Sequence, residues 1–133
     1  MTIKTVPLEG AYLGDLRCNA NHGPSGTTMI TDGRTGQCGS TDYFAASVAT
    51  CVCTLIGIAA QRRELDIATM HFHVEKGMTD EPARRVGYIG ITVYLPQSLG
   101  EKDRKILENA GRTCPVHRSL HPDVNAPIAY VYE

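Results

Sequence analysis

The longest apolar stretch of the chain reads YFAASVATCVCTLIGIAA, residues 43–60, and the other elements are predicted around it. Just before it, the Ser-Thr pair at residues 40–41 can accept the free N–H groups at the start of a helix. Asp42 then falls in the first turn, where the helix dipole favours an acid, and basic residues follow the stretch. We therefore predict one long helix that ends at Gln61 or Arg63.

Apolar side chains fall on almost every face of this helix, so it must be covered on all sides. A domain of this size offers one sheet and one other substantial helix, and we expect a second copy of the chain to supply the remaining cover. Ser47, Thr50 and Thr54 interrupt the stretch, which is also rather short for the ~20 apolar residues that cross a bilayer. The sequence therefore predicts a buried helix near a homodimer interface and no membrane association.

The segments before the helix have the two-residue alternation and turn residues of strands. Ile3–Pro7, Ala11–Asn19 and Thr27–Thr31 predict an N-terminal β-meander. After the helix, Ile67–Glu75 and Val86–Leu95 predict two longer antiparallel strands. The remaining predicted elements are a helix over Glu101–Arg112, a helical turn over Cys114–Leu120 and a closing strand over Ile128–Tyr132. The order βββ-α-ββ-α-β predicts an α+β fold.

Length and charge limit the number of domains and the classes of partner that we expect. The 133 residues, 42% of them apolar, predict a single domain over residues 1–133. Thirteen basic and fourteen acidic side chains leave a net charge of -1, so we expect no nucleic-acid partner. The first ten residues, MTIKTVPLEG, lack the apolar core and cleavage site of a signal peptide, and we expect a cytoplasmic protein.

The candidate reactive residues of the sequence are its cysteines. There are five, an odd number in a chain without an export signal, so we expect reduced thiols rather than a disulfide framework. Cys51 and Cys53 lie two positions apart on the predicted helix, roughly 200° apart around its axis, and cannot enter the same site. Small residues share the face of Cys53, which predicts a packing role for that thiol; the alternative is that Cys53 is the reactive one.

Cys114 stands at the predicted start of a helical turn, CPVHRSL, with Pro115 suited to the first helical position. A sulfur at the N-cap faces free N–H groups and the positive end of the helix dipole, which favour the thiolate. Arg112, His117 and Arg118 lie nearby in sequence and are expected to add positive potential. We therefore expect a lowered pKa for Cys114.

Two segments together resemble a known family. The stretch DYFAASVATC, Asp42–Cys51, resembles the helix that ends in the active cysteine of the OsmC/Ohr family of hydroperoxide-resistance proteins. CPVHRSL, Cys114–Leu120, is similar to the second cysteine motif of that family. The spacing of the two motifs, the strand order and the chain length are also similar.

The resemblance implies an intertwined homodimer with two active sites, each built from both chains. Cys51 matches the peroxidatic cysteine and Cys114 the resolving one. The implied reaction is reduction of a small organic hydroperoxide through a sulfenic acid and a disulfide, followed by reset with a dithiol such as a lipoylated protein. No metal or organic cofactor is implied.

The resemblance also implies an arginine beside the reactive thiol, held by an acid at the start of the helix. Its charge stabilises the thiolate. Asp42 is the candidate acid, and Arg17, on the second predicted strand, is the first candidate for the arginine. Arg34, in the loop before the helix, is the alternative.

Two other functions remain open. One is a zinc site, because thiolates and imidazoles are zinc ligands. The candidate ligands are Cys51, Cys53, Cys114, His117 and His121. The other is a non-catalytic stress or ligand-binding protein with the same fold. His71 and His73 could form a metal pair, although such alternation is common on a half-exposed strand.

Overall fold

The structure is a computed structural model that describes residues 2–133. These residues form two compact units, of which the first ends at Tyr43 and the second is Phe44–Glu133. The first unit contains β1 (Leu8–Gly14), β2 (Arg17–His22) and β3 (Thr28–Asp32). Helix α1 spans Ser40–Arg62. The second unit also contains β4 (His71–Thr79), β5 (Arg85–Leu95), α2 (Glu101–Gly111), α3 (Pro115–Arg118) and β6 (Ile128–Tyr132). The predicted α+β class is confirmed.

The strands of the first unit form an antiparallel sheet in the order β1-β2-β3, which confirms the meander. The predicted bounds of the first two strands are wrong, because the chain turns at Asp15 and Leu16 rather than at Gly10. Both turn residues have positive φ, 52° and 64°. Gly10 instead lies inside β1, where a Cβ would be 2.0 Å from the carbonyl oxygen of Asn19. It is required for close strand approach and not for a turn.

Helix α1 begins at Ser40, but its cap is Gly39 and not Ser40 or Thr41 as predicted. The carbonyl of Gly39 accepts hydrogen bonds from the N–H groups of Asp42 and Tyr43, so the cap lies one residue before Ser40. The Gly39 N–H in turn donates to Oδ2 of Asp42 at 2.8 Å. Asp42 therefore helps to fix the start of the helix, as expected for an acid in the first turn.

One stripe of α1 enters the core of the second unit. Its buried residues are Ala45, Val48, Ala49, Val52, Ile56 and Ala60. These positions recur at intervals of three and four, the spacing of one helix face. Within one chain, therefore, α1 is buried along one face, whereas the apolar side chains of Phe44 and Ile58 remain 42% and 41% exposed.

The prediction that the apolar stretch is too short to span a membrane is wrong. The helix has 23 residues, and by length and composition alone it could cross a bilayer. Core helices of globular proteins can have the same length and apolar composition, and the buried stripe of α1 packs with the core.

The sheet of the second unit has the order β4-β5-β6, with β4 antiparallel and β6 parallel to β5. The predicted bounds of β4 are displaced by four residues at each end. Residues 67–70 form a turn, closed by a hydrogen bond from Met70 N–H to the carbonyl of Ile67 at 2.8 Å. The strand continues to Thr79 because a bulge at Gly77 and Met78 keeps it paired with β5.

The core of the second unit lies between the α1 stripe, α2 and one face of the sheet. Residues Ile89, Ile91, Val93 and Leu95 alternate along β5 and are buried there. The side chains of Leu107, in α2, and Cys114 are also buried in this core. The core thus brings the middle of α1 next to the start of α3.

Candidate active site

The structure brings the thiols of Cys51 and Cys114 together. Cys51 lies near the middle of α1, at the edge of the buried stripe, and Cys114 is the N-cap residue of α3. Their side chains form a hydrogen bond. Cys51 is half-buried, whereas Cys114 is completely buried, with 0% of its surface exposed. Two thiols in contact, one of them accessible, are the geometry from which a reversible disulfide can form.

Cys114 has the local structure predicted for it but not the predicted acidity. Its sulfur accepts a hydrogen bond from the N–H of His117 at 3.3 Å, and Pro115 follows at the start of the turn. Burial nevertheless raises the pKa of the Cys114 thiol, and the hydrogen bond with Cys51 raises it further. The predicted lowering of the pKa is therefore wrong, because desolvation outweighs the backbone N–H groups.

Two of the three basic residues near Cys114 in sequence, Arg112 and His117, form hydrogen bonds with other groups. A terminal nitrogen of Arg112 donates to Asn109 at 3.1 Å. Nε2 of His117 donates to the carbonyl of Ala126 at 2.9 Å, which fixes the proton on that ring nitrogen. These two side chains therefore bind α2 and the loop before β6, and do not point their hydrogen-bond donors at Cys114.

Cys53 does not share the site of Cys51. Its thiol lies near the phenol of Tyr130, on the other side of the helix. Burial raises the pKa of Cys53, and burial together with Glu108 and Cys53 raises the pKa of Tyr130 to about 12. The divergence of the two helix positions is confirmed, and Cys53 packs against the core as a small hydrophobic side chain.

Within the first unit, Arg17 and Arg34 have different environments. Arg34 binds the carboxylate of Asp32 in a bidentate manner, through Nε at 2.9 Å and a terminal nitrogen at 2.6 Å. These hydrogen bonds hold the pKa of Asp32 at about 2. Arg17 opens β2 opposite Asp32, and its Nε is buried without a hydrogen-bond partner among residues 2–133. Arg34 is therefore committed to Asp32, and Arg17 is the arginine with unused hydrogen-bonding capacity.

The geometry gives no support to the zinc alternative. Over residues 2–133, no three His, Cys, Asp or Glu side chains are arranged to hold a metal ion. His71 stacks on Tyr94 with a centroid separation of 4.6 Å, and His73 lies 3.2 Å from Glu75. Both histidines are exposed side chains on the outer face of the second sheet.

One polar cluster was not identified from the sequence. Glu108 of α2 accepts a hydrogen bond from the hydroxyl of Tyr132 through its carboxylate, and its carbonyl accepts one from Tyr130 at 3.4 Å. The guanidinium of Arg104 covers the Tyr132 ring at 4.1 Å. Cavities of about 420 and 280 Å³ adjoin this cluster. The alternating tyrosines of IAYVY were the available signal, since buried phenols require partners.

Comparison with known proteins places this geometry in a family. The family model described as OsmC-like protein matches residues 33–128. A search of the curated proteins gave no match. The chain is 37% identical to a Psychrobacter arcticus 273-4 protein described in terms of osmotic stress and detoxification response. That match covers 98% of this chain and 97% of the other, with a TM-score of 0.84.

Two solved structures of organic hydroperoxide resistance proteins share the fold at lower identity. The protein from Legionella pneumophila is 15% identical over 98% of this chain and 99% of its own, with a TM-score of 0.71. The protein OhrB of Bacillus subtilis is 16% identical over 96% of this chain and 98% of its own, with a TM-score of 0.67. With the family model matched over most of the chain and both cysteine motifs in place, the chain belongs to the OsmC/Ohr family.

Proposed function

We propose that the protein reduces organic hydroperoxides with Cys51 as the attacking thiol and Cys114 as the resolving thiol. The observation that carries this proposal is the hydrogen bond between the two side chains, which come from helices far apart in the sequence. The half-buried position of Cys51 supports its role as the sulfur that meets the peroxide. The buried position of Cys114 supports a role that begins only after Cys51 is oxidised.

The proposed cycle has three steps. The Cys51 thiolate attacks one peroxide oxygen, the O–O bond breaks, and the other oxygen leaves as an alcohol after taking a proton. Cys51 is then a sulfenic acid. The sulfur of Cys114 attacks the sulfur of Cys51, its thiol proton joins the departing hydroxide as water, and a disulfide forms. A dithiol reductant then supplies two electrons and two protons to restore both thiols.

Arg17 and Asp42 are proposed to support Cys51. Arg17 is preferred to Arg34 because Asp32 holds Arg34 and because Nε of Arg17 is buried without a partner among the described residues. A guanidinium beside a sulfur stabilises the thiolate and donates hydrogen bonds to the oxygens of a bound peroxide. Asp42 stabilises the start of α1, the helix that carries Cys51.

The substrate is proposed to be apolar. Phe44, Leu55 and Ile58 lie on the same side of α1 as Cys51, and two of them are more than two-fifths exposed. An apolar surrounding favours the hydrocarbon part of an organic hydroperoxide over hydrogen peroxide. The hydroperoxide-resistance names of two structural relatives support the same substrate class. The reductant is proposed to be a dithiol such as a lipoyl group.

The assembly is proposed to be an intertwined homodimer of one 133-residue domain, in the cytoplasm. The supporting observation is the exposed apolar face of α1, which includes Phe44 and Ile58. A second copy would remove that face from water and complete the cover that an apolar helix requires.

The proposal is tested by turnover. Purified protein is supplied with cumene hydroperoxide or hydrogen peroxide and with dihydrolipoamide, and peroxide consumption is followed with time. We expect turnover that is faster with the organic peroxide and absent in Cys51→Ser. Equal, slow consumption by the wild type and Cys51→Ser would favour the non-catalytic alternative.

A further inference from the structure

The proposed cycle leaves open which sulfur of the disulfide the reductant attacks, and the two sulfurs differ in the structure. Resting on the proposed function, we infer that the reductant attacks the sulfur of Cys51, so that Cys114 is the leaving group. Thiol–disulfide exchange requires the attacking thiolate to approach one sulfur in line with the bond that breaks, so access decides between them.

Access favours Cys51. Cys114 has no exposed surface within a single chain, because it is packed in the core with α1, α2 and β5. Cover by a second chain cannot expose Cys114. Cys51 lies at the edge of the buried stripe of α1 and is half-buried. The two side chains lie within hydrogen-bonding reach of each other, and we expect this difference in burial to remain when the ~2.05 Å disulfide bond forms.

Burial raises the pKa of Cys114 and so disfavours charge on its sulfur, which means that access and not acidity decides the order of attack. One hydrogen bond reduces this cost for Cys114 as a leaving group. As the disulfide breaks, negative charge develops on the sulfur that departs. The N–H of His117 already donates to the sulfur of Cys114 at 3.3 Å and would stabilise that charge. The turn that presents this N–H is held by the hydrogen bond from the His117 ring to the Ala126 carbonyl.

The step balances without a further reactant. One thiolate of the dithiol bonds to the sulfur of Cys51, and the Cys51–Cys114 bond breaks with its electron pair on Cys114. Cys114 takes the proton that the first reductant thiol released. The second thiol of the reductant then attacks the first, which releases Cys51 and forms the cyclic disulfide of the reductant. The protein gains two electrons and the reductant loses two.

A monothiol probe locates the attacked sulfur because it cannot complete the second exchange. A variant with Cys18→Ser, Cys38→Ser and Cys53→Ser keeps only the two thiols of interest. It is oxidised with diamide, which does not depend on peroxidase activity, then mixed with excess 2-mercaptoethanol, quenched in acid at early times and alkylated. Trypsin separates Cys51, in residues 35–62, from Cys114, in residues 113–118, for mass spectrometry.

We expect the mercaptoethanol adduct on residues 35–62 and the alkyl group on residues 113–118, with an excess of about tenfold or more over the opposite pattern. In urea, where both sulfurs are accessible, we expect adducts on both peptides. An adduct mainly on residues 113–118 in the folded protein overturns the inference, as does failure of diamide to join the two cysteines. If diamide forms the disulfide but hydroperoxide does not, the proposed function fails and the order of attack stands.

Discussion

Cys51 and Cys114 form a hydrogen-bonded pair of thiols in which one member is half-buried and the other is completely buried. This difference in burial is a consequence of the fold. Cys51 lies where the buried stripe of α1 meets its exposed face, and Cys114 caps a short helix that begins inside the core. The two roles of a peroxidatic and a resolving thiol match this difference in access.

The two cysteines of α1 should behave differently on substitution. Cys51→Ser is expected to abolish hydroperoxide turnover, because it removes the accessible sulfur of the pair. Cys53→Ser is expected to retain most turnover, because that thiol lies near Tyr130. Steady-state peroxide consumption with a dithiol checks both. The assignment fails if Cys53→Ser is the inactive variant.

The raised pKa of Cys114 makes stability depend on pH in a defined direction. Because the folded protein holds this thiol neutral, its stabilising effect is complete below the ordinary thiol pKa of 9.0 and is lost as the pH rises through the higher folded value. Urea denaturation at about pH 7 and about pH 10 should therefore show a greater loss of stability for the wild type than for Cys114→Ala. Equal losses in the two proteins would show that the thiol does not contribute.

Two glycines in helices provide a matched test of the packing. At Gly111 a Cβ would lie 2.6 Å from the hydroxyl oxygen of Tyr130 and 3.3 Å from Cγ1 of Val52, so Gly111→Ala should destabilise the protein by about 1–3 kcal/mol. At Gly57 a Cβ would meet no atom within 4 Å of the chain. Gly57→Ala should therefore be neutral or stabilising by up to about 1 kcal/mol. Denaturant titration measures both, and loss of stability in Gly57→Ala would reveal an unrecognised contact.

The exposed face of α1 should control assembly. Ile58→Glu is expected to shift a homodimer towards monomer, since the substitution places a charge in an apolar interface. Lys102→Glu, on an exposed position of α2, is the control and should leave assembly unchanged. Sedimentation velocity gives the masses, and circular dichroism checks the fold. A wild type that is monomeric at all concentrations would contradict the proposed dimer.

The sequence was sufficient for the element order and for the two cysteine positions, and the reasons are local. A long, mostly apolar run with an acid at its start predicts α1, and Cys-Pro predicts the start of α3. The turn at Asp15 and Leu16 was missed because positive φ at two residues without glycine is rare. The parallel pairing of β6 with β5 depends on contacts distant in the sequence.

The predicted direction of the pKa shift of Cys114 is wrong for a related reason. The N-cap position is visible in the sequence, and its hydrogen bond from His117 is present. Burial is not visible in the sequence, because it is produced by α1, α2 and β5 packing over the sulfur. Desolvation then sets the direction of the pKa shift.

The most direct test of the account is to find where oxidation occurs. Fully reduced protein is mixed with one equivalent of an organic hydroperoxide, free thiols are alkylated, and tryptic peptides are analysed by mass spectrometry. We predict a disulfide that joins Cys51 to Cys114, with Cys18, Cys38 and Cys53 alkylated. In Cys114→Ser, Cys51 should stop at the sulfenic acid, which a dimedone probe labels. Recovery of both Cys51 and Cys114 as free thiols, under conditions in which a known thiol peroxidase is fully oxidised, would contradict the account.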